Sequence, residues 1–416
     1  MMTVNLNQRR AVEALRAGVP NRDVVRQLKP MQPELESRFA ALLQETQQNW
    51  QTDMQAEGLL IEGGFGTGKS HCMEYLRHLA LENNFVCSTL VLNKEMPLHN
   101  LARIYRGCVE SATVADKTGS ALTEIVNSYN PNRAPCHREL YQWAHQADKD
   151  PRIGATLLLF EDCKDENLRE KIVAEWTGYP MKVQDLRVAL KEVDQHKEYN
   201  ISRPQTMKIS QRFEFLSRFF RSAGYQGWVI LLDETEIISR YSLQQRGKAY
   251  AHLAQLMGLT DGTIIPGLAS VFAITDDYAG QVLRAGKNDV CNVPGKVRDM
   301  KDEDISGDAG IGMDAIENRS LELGKPTADQ VLETYDKVCQ AYSQAYLWDA
   351  PPIENKREHL ASNSMRQYVR SWINTWDLRR LYDYQAQTTL ESVTMSYDED
   401  TDLQEDAPEI EEGATI

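Results

Sequence analysis

The chain has 416 residues, of which 42% are hydrophobic and 26% are charged, as is usual for a soluble globular protein with one large domain or two smaller ones. It contains no apolar run of about 18 residues and no apolar signal core after the first methionine, so we expect a cytoplasmic protein without a membrane span. Its seven cysteines show no C-x-x-C spacing, so we expect free thiols and no zinc site. The net charge is −15, but nine acidic residues between Asp398 and Glu412 leave a body near −6, which excludes a uniformly basic nucleic-acid surface and leaves local basic patches open.

The N-terminal segment is predicted to be helical. Arg9–Leu15 is amphipathic, Gly18–Asn21 interrupts the pattern, and Pro33–Trp50 resumes it with apolar residues about 3.6 positions apart. We therefore expect three helices between residues 6 and 49.

A phosphate-binding loop pattern, G-x-x-x-x-G-K-[ST], follows at residues 63–70. The apolar strand Gly58–Glu62 precedes it, and Ser70–Leu79 has apolar residues at helical spacing. In such a loop the backbone N–H groups and the helix N-terminus cradle phosphate oxygens, Lys69 would reach the β- and γ-phosphates, and Ser70 would ligate Mg²⁺. The sequence therefore predicts an ATP site with Mg²⁺. Its candidate nucleotide-binding residues here are Gly63, Gly64, Phe65, Gly66, Thr67, Gly68, Lys69, Ser70 and His71.

The chain between this loop and the next informative strand is mostly helical. Phe85–Leu92 is rich in β-branched and aromatic residues, and we expect a strand there, beside the strand that feeds the loop. A helix is predicted near residues 98–112. A plain α/β unit needs only about 10 to 15 residues after it, so the polar stretch 114–207 is predicted to be an insertion of several helices. The helix Ser210–Ala223 then leads into the next strand.

An acidic pair ends the apolar run Trp228–Leu232, which is typical of a buried parallel strand. Ligands of open α/β sheets bind at the carboxyl ends of such strands. Asp233 is therefore predicted to hold Mg²⁺ through water, and Glu234 to orient or deprotonate the attacking water. The alternative is an ordinary acidic turn, and the phosphate loop argues against it.

Three further elements are predicted beyond this strand. Gly267–Ile274 is apolar and predicts another strand, whereas Met300–Met313 is rich in Asp and Gly and predicts a mobile loop. Ser320–Leu323 predicts a short edge strand. Two capping boxes, Thr327–Gln330 and Ser364–Gln367, then open two helices, the second running to about residue 382.

This order of a strand-rich core followed by a small helical lid resembles the AAA+ branch of P-loop ATPases. The fold class that we predict is α/β, a three-layer P-loop NTPase of the AAA+-like, additional-strand class with a helical N-terminal segment, a helical insertion and a C-terminal helical lid. The predicted boundaries are 1–50 for the N-terminal segment, 51–324 for the ATPase core, 325–385 for the lid and 386–416 for an acidic, disordered tail.

The resemblance implies two sensors of the γ-phosphate. Many ATPases of the additional-strand class carry a polar sensor at the end of the strand that corresponds to 267–274, where Thr275 or Asp276 would fill the role; a helix-capping turn is the alternative. Arg366 lies where such enzymes carry a second, arginine sensor in the lid. Arg370 is one turn further on, and a solvated arginine pair is the alternative.

Arg240 is a candidate arginine finger that would act across a subunit contact in a homo-oligomer. An ion pair between Arg240 and Glu236, four residues earlier, is the alternative. Arg240 therefore joins Lys69, Glu234 and Arg366 among the candidate catalytic residues.

Several longer strings are similar to the ATP-binding proteins of bacteriophage-exclusion (BREX) and related defence islands. They are Arg9–Pro20, Gly64–His71, Asp233–Glu236 followed by Arg240–Ser242, and Trp372–Tyr382. The resemblance spans nearly the whole chain up to about residue 385, and the acidic tail departs from it. It implies an ATPase that serves a multi-protein defence or DNA-processing system, but it does not identify the partners. A helicase and a nuclease are candidates, and DNA would be reached through them.

Three functional classes remain open. The first is an ATP-dependent switch or loader subunit, which we favour because the body lacks an obvious basic stripe. The second is a DNA-stimulated motor ATPase, and the third is a small-molecule kinase, which the adjacent Asp233 and Glu234 disfavour. Residues 398–412 are too charged to bury a core and are predicted to be disordered, either as a solubilising tail or as a docking arm for a basic partner.

Overall fold

The computed structural model describes most of the chain. It covers residues 6–18, 24, 28–64, 66–115, 117, 119–162, 165–193, 201, 203, 207–298, 303–353, 365–384, 397–400 and 403. Within these residues, no helix combines the length and the apolar character that crossing a membrane requires.

In the described part of the chain, five parallel strands form one sheet. The strands are Leu59–Glu62 (β1), Val86–Val91 (β2), Trp228–Asp233 (β3), Leu268–Ile274 (β4) and Ser320–Glu322 (β5). Their spatial order is β2-β3-β4-β1-β5, so β4 lies between the strand that feeds the loop and the strand that ends in Asp233. All five predicted strands are present, and β5 lies at the edge as predicted.

The predicted neighbour of β2 is wrong. Val86–Val91 pairs with β3, with Val86 opposite Trp228, and both β3 and β4 separate it from β1. A helical crossover connects two parallel strands without requiring that they be adjacent. Contacts between side chains decide the pairing here: the Trp228 indole Nε1 donates to Ser88 Oγ at 2.8 Å.

Helices cover both faces of the sheet. In chain order they are Leu6–Ala17 (α1), Pro33–Asn49 (α2), Lys69–Glu82 (α3), Leu101–Ser111 (α4), Ala121–Ser128 (α5), His137–Ala144 (α6), Pro151–Asp162 (α7), Glu166–Thr177 (α8), Val183–Val193 (α9), Ile209–Ser222 (α10), Leu243–Leu256 (α11), Asp289–Arg298 (α12), Glu303–Asn318 (α13), Ala328–Tyr346 (α14) and Met365–Tyr382 (α15). Shorter helical turns occupy Trp50–Thr52, Thr235–Arg240 and Ala279–Ala285.

Successive side chains of the strands enter two different hydrophobic clusters, as the two-residue repeat of a strand requires. On β3, Val229 and Leu231 pack with α2 and α3, whereas Ile230 and Leu232 join the cluster of α4, α10 and α11. This second cluster also contains the buried side chains of α5–α9. The helical insertion therefore packs on the same core as the sheet.

Two helices were predicted correctly at the N-terminus, α1 and α2. The third predicted helix falls between them, where the structure describes Val24 and then residues from 28 onward. The Leu28 N–H donates to the Val24 carbonyl at 2.8 Å, as in a helical turn.

The predicted loop at 300–313 is wrong from residue 303 onward, because Glu303–Asn318 forms helix α13. One of its glycines, Gly312, allows close packing against α11. A Cβ added at Gly312 would lie 2.0 Å from the Tyr250 carbonyl oxygen, so only glycine permits this approach. Gly312, which contributed to the prediction of mobility, is therefore required for helix–helix contact.

The predicted lid corresponds to α14 and α15, and α1 packs against both helices. The predicted capping box is confirmed at Thr327 and Gln330, whereas Ser364 lies outside the described residues. Asp377 on α15 fastens the three helices together, because it accepts from Arg16 Nε at 2.9 Å and from the Tyr342 hydroxyl at 2.7 Å. The N-terminal segment is thereby held against the lid.

Candidate functional site

The glycine-rich loop connects β1 to α3, and its backbone needs glycine at two points. Gly66 and Gly68 have φ of +82° and +108°, a region that other residues rarely adopt. The Lys69 Nζ turns back into the loop and donates to the Gly63 carbonyl at 2.7 Å. The Thr67 hydroxyl donates to the Gly64 carbonyl at 2.9 Å. The loop thus forms a turn with a lysine in its centre, while Phe65 lies outside the described residues.

The carboxyl ends of the strands meet beside this loop. In the pairing of β1 with β4, Glu62 is opposite Ile274, and in the pairing of β2 with β3, Val91 is opposite Asp233. The loop, the acidic pair and residues 275–276 therefore share one edge of the sheet, which is where an open α/β sheet binds ligands.

Asp233 and Glu234 adopt distinct environments at this edge. Asp233 is buried, and its Oδ1 accepts from the Glu234 N–H at 2.9 Å. Glu234 has a left-handed backbone with φ of +63°, a strain that concentrates at functional sites in proteins. Burial and the charge of Asp233 raise the pKa of the Glu234 carboxyl, while Lys69 and Arg366 oppose the rise. Lys69 and Arg366 therefore both lie within electrostatic reach of Glu234.

Glu236 is a third carboxylate at the site, and its burial was not predicted. It is 5% exposed, and among the described residues its Oε2 has no hydrogen-bond partner. Burial raises its pKa to about 7, although the charge of Lys69 opposes the rise. Burial removes a carboxylate from water and so favours its protonated form.

This burial predicts a pH-dependent cost to stability. The pKa of Glu236 is about 7 in the folded protein against 4.5 for the free side chain, so the folded state binds more protons between these values. Its contribution to the free energy of unfolding must fall as pH rises from about 4.5 to about 7 and then stay low. We expect Glu236→Gln to stabilise the protein at pH 8 by up to about 3 kcal/mol and to have little effect near pH 5.

Urea denaturation at the two pH values measures this difference. Glu170→Gln, on an exposed face of the insertion, is the matched control and should change neither value. An equal effect of Glu236→Gln at pH 5 and pH 8 would show that the carboxyl does not titrate in this range.

Thr275 and Asp276 follow β4 as predicted. Thr275 is buried, and its hydroxyl lies 2.8 Å from that of Tyr397. Asp276 is exposed beside the loop, since a Cβ added at Gly64 would lie 3.4 Å from an Asp276 carboxylate oxygen. Asp276 is thus next to the loop, and Thr275 has Tyr397 as an unpredicted neighbour.

A predominantly apolar pocket opens on the other side of the loop. It lies between the N-terminal segment, the loop and the lid, and it is lined among others by Leu28, Met31, Gly68, Gln330, Met365 and Val369. His71 on α3 also lines it, and its Nε2 lies 2.6 Å from the Leu28 carbonyl. Burial lowers the pKa of this imidazole, so it is neutral at pH 7 and connects α3 to the N-terminal segment. Sequence periodicity could not have revealed the pocket, because its walls come from three distant parts of the chain.

The three predicted arginines differ in position. Arg366 lines the pocket, and its Cδ would lie 3.6 Å from a Cβ added at Gly18. Arg370 is exposed, so the two residues do not form an equivalent pair.

Arg240 is half-buried at the end of the 3₁₀ turn 235–240, and among the described residues no ion pair joins it to Glu236. The Arg240 carbonyl accepts from the Asp400 N–H at 3.1 Å.

A magnesium ion would find oxygen ligands at this edge. The described residues contain no cluster of three or more His, Cys, Asp or Glu side chains that could hold a metal by itself. Mg²⁺ commonly takes one or two protein oxygens and completes its shell with water and substrate phosphates. The Ser70 hydroxyl and the buried Asp233 carboxylate fit that donor set.

The family assignment from sequence is confirmed by a family model. The model for BREX system ATP-binding protein BrxC/D matches residues 5–134 and 205–375 and omits most of the helical insertion. A search of curated proteins and a search of solved structures found no match to the chain. Because the matched ranges contain the loop, the acidic pair, α14 and the first part of α15 and cover well over half of the sequence, the chain belongs to the family of BREX system ATP-binding proteins BrxC/D.

Proposed function

We propose that this chain is an ATP-binding and ATP-hydrolysing switch or loader subunit of a BREX phage-defence system, built on an AAA+-like P-loop fold. One observation carries the proposal. The loop 63–70 and the acidic pair Asp233–Glu234 share one edge of the sheet, so closely that Lys69 influences the pKa of Glu234. The position of β4 between β1 and β3 supports the additional-strand class.

In this proposal ATP lies across the loop with its base in the apolar pocket. Lys69 exchanges the Gly63 carbonyl for oxygens of the β- and γ-phosphates, and the N–H groups of the loop contact the same phosphates. The apolar lining from the N-terminal segment and the lid suits a purine ring. Arg366, which lines the pocket and influences Glu234, is placed to sense the γ-phosphate.

Hydrolysis would then join a water oxygen to the γ-phosphorus and break the bond to the bridging oxygen. The Glu234 carboxylate orients the water and takes its proton, and the raised pKa of this group makes it a stronger base than an exposed carboxylate. Mg²⁺, held by Ser70 and Asp233, would neutralise phosphate charge. Lys69 and Arg366 add positive charge where negative charge develops on the leaving ADP.

Phosphate release by the purified protein, with and without duplex DNA at fixed salt, tests this function. A switch or loader should hydrolyse ATP slowly and independently of DNA. A motor should be stimulated by DNA, and a small-molecule kinase should release no phosphate without an acceptor. ATP binding that calorimetry cannot detect would overturn all three.

The proposed partners are inferred from the family and not from a binding surface on this chain. We infer that other proteins of the BREX system bind it, that a helicase or nuclease among them contacts DNA, and that the chain works in the cytoplasm. Affinity purification of the tagged protein from its native host, with and without ATP, identifies such partners. A switch should show a set of partners that changes with ATP.

The two candidate arginines are distinguished by where they act. Arg366→Ala should reduce hydrolysis at every protein concentration, because this side chain lines the pocket of its own subunit. The exposed Arg370→Ala is the matched control one turn away and should leave the rate unchanged. A reduction of roughly tenfold to a hundredfold is expected for one charge-assisted hydrogen bond to phosphate.

Arg240→Ala should behave differently if Arg240 is a finger for a second copy. The wild-type rate per subunit should then rise with protein concentration, and mixing Arg240→Ala with Lys69→Ala should partly restore hydrolysis. The restored interface combines an intact loop from one chain with an intact arginine from the other. Full activity of the Arg240→Ala variant would show that Arg240 is not an arginine finger.

A further inference from the structure

The described residues of the C-terminal strap, which we define as Tyr397–Asp400 and Leu403, contact the core beside the proposed ATP site. Disorder was predicted for 398–412, so this contact was not expected from sequence. Three independent anchors hold the strap in place. Together they place the Tyr397 side chain at the end of β4.

The first anchor is electrostatic. Glu399 Oε1 accepts from Arg246 Nη1 at 2.8 Å and lies 3.7 Å from Lys287 Nζ. The Arg246 side chain is only 4% exposed, and it also pairs with the buried Asp289 at 2.9 Å. A guanidinium held on one side by Asp289 thus presents its remaining edge to the strap.

The second and third anchors are a backbone hydrogen bond and an apolar contact. The Asp400 N–H donates to the Arg240 carbonyl at 3.1 Å. Leu403 is 9% exposed and belongs to the hydrophobic cluster that contains β3 and β4. The strap therefore reaches the turn that follows Asp233 and Glu234.

Tyr397 connects the strap to Thr275. Its ring packs edge-to-face on Tyr278, with centroids 6.1 Å apart. Its hydroxyl lies 2.8 Å from Thr275 Oγ1 and donates to Asp277 Oδ1. Burial and the neighbouring Asp277 carboxylate raise the pKa of Tyr397, so the phenol stays protonated at neutral pH.

The directions of these two hydrogen bonds follow from the donors available. An ionised carboxylate can only accept, so the single Tyr397 proton is given to Asp277. The Tyr397 oxygen must then accept from Thr275, which gives up its own single hydroxyl proton. A threonine whose proton is engaged in this way cannot donate it to a phosphate oxygen.

We propose that the C-terminal strap is an autoinhibitory element in which Tyr397 acts as a positioning residue: it withholds the Thr275 hydroxyl from the γ-phosphate and so restrains ATP hydrolysis until the strap leaves the core. The proposal rests on the proposed function, because it takes Thr275 as the phosphate sensor. The cradle formed by Thr275, Asp277 and Arg246 is the binding surface, and the chain's own acidic strap is its ligand.

Tyr397→Phe in the full chain tests the proposal, because it removes the hydroxyl and keeps the ring on Tyr278. We expect kcat for ATP hydrolysis to rise about tenfold or more, the effect of one hydrogen bond to a charged group, with KM little changed. Tyr384→Phe, an exposed tyrosine at the end of the lid, is the matched control and should not alter kcat. A kcat equal to or below that of wild type would overturn the proposal.

A double variant excludes a merely structural effect. Adding Thr275→Val to Tyr397→Phe should abolish the gain in kcat, because the hydroxyl that the strap releases is then missing. A gain that persists in the double variant would show that Tyr397 acts by another route. Truncation after Ser396 should reproduce the gain of Tyr397→Phe without a new effect on ATP affinity.

Salt dependence gives a second measurement that needs no substitution. Because the Glu399 side chain is 47% exposed, salt should weaken its ion pairs, and wild-type hydrolysis should rise with ionic strength more than that of the truncated protein. Calorimetry on every variant separates failure of the proposed ATP site from failure of the proposed strap. Absence of ATP binding in the wild type would overturn the proposed function and the strap with it, whereas normal hydrolysis with no response to Tyr397→Phe would overturn the strap alone.

Discussion

Glu234→Gln is expected to bind ATP as the wild type does and to hydrolyse it about 10² to 10⁴ times more slowly, the usual contribution of a general base. The amide has nearly the shape of the carboxylate but cannot take a proton from water. Removing the charge should not weaken ATP binding, because a carboxylate beside the phosphates repels them. Single-turnover phosphate release measures the rate, and calorimetry measures the affinity.

Glu170→Gln on the insertion is the control for this substitution and should hydrolyse ATP at the wild-type rate. If Glu234→Gln also hydrolyses at that rate, Glu234 is not the base. Glu236 then becomes the candidate, since it is buried at the same edge and one of its carboxylate oxygens has no partner within the described part of the chain. Loss of activity in Glu236→Gln would then identify Glu236 as the base.

Lys69→Ala should abolish detectable ATP binding. The ammonium group lies in the centre of the loop, 2.7 Å from the Gly63 carbonyl, where two phosphates would meet it. Losing two charge-assisted hydrogen bonds costs about 3 to 6 kcal/mol, which corresponds to roughly a hundredfold to ten-thousandfold weaker binding. Isothermal calorimetry with ATP and Mg²⁺ measures the change.

Lys191→Ala, on an exposed helix end of the insertion, is the matched control and should keep the wild-type affinity. Circular dichroism would show whether Lys69→Ala remains folded, as expected for a half-buried loop residue. Unchanged affinity in a folded Lys69→Ala protein would remove the loop 63–70 from the proposed ATP site.

Local features of this protein were determined by the sequence itself. The strand before the loop, the helix after it and the acidic end of β3 all follow from short-range patterns of apolar and polar residues. The capping box Thr327–Gln330 and the short edge strand β5 were also predicted correctly. In each case the residues that dictate the element lie within a few positions of one another, so no distant contact is needed to specify it.

Other features were decided only by the tertiary structure. The sequence placed β2 beside β1, whereas side-chain contacts such as that of Trp228 with Ser88 pair it with β3. Glycine-rich composition predicted a loop at 300–313, but glycine also allows a helix to approach its neighbour, and α13 uses it in that way.

The site itself combines both kinds of information. Its loop and acidic pair were predicted from motifs, and their roles in ATP hydrolysis stay predictions. The burial of Glu236, the position of Arg366 in the pocket and the contact of Tyr397 with Thr275 join residues that are far apart in the chain. Burial and proximity depend on contacts between residues that are distant in the chain, and these contacts cannot be read directly from a single sequence.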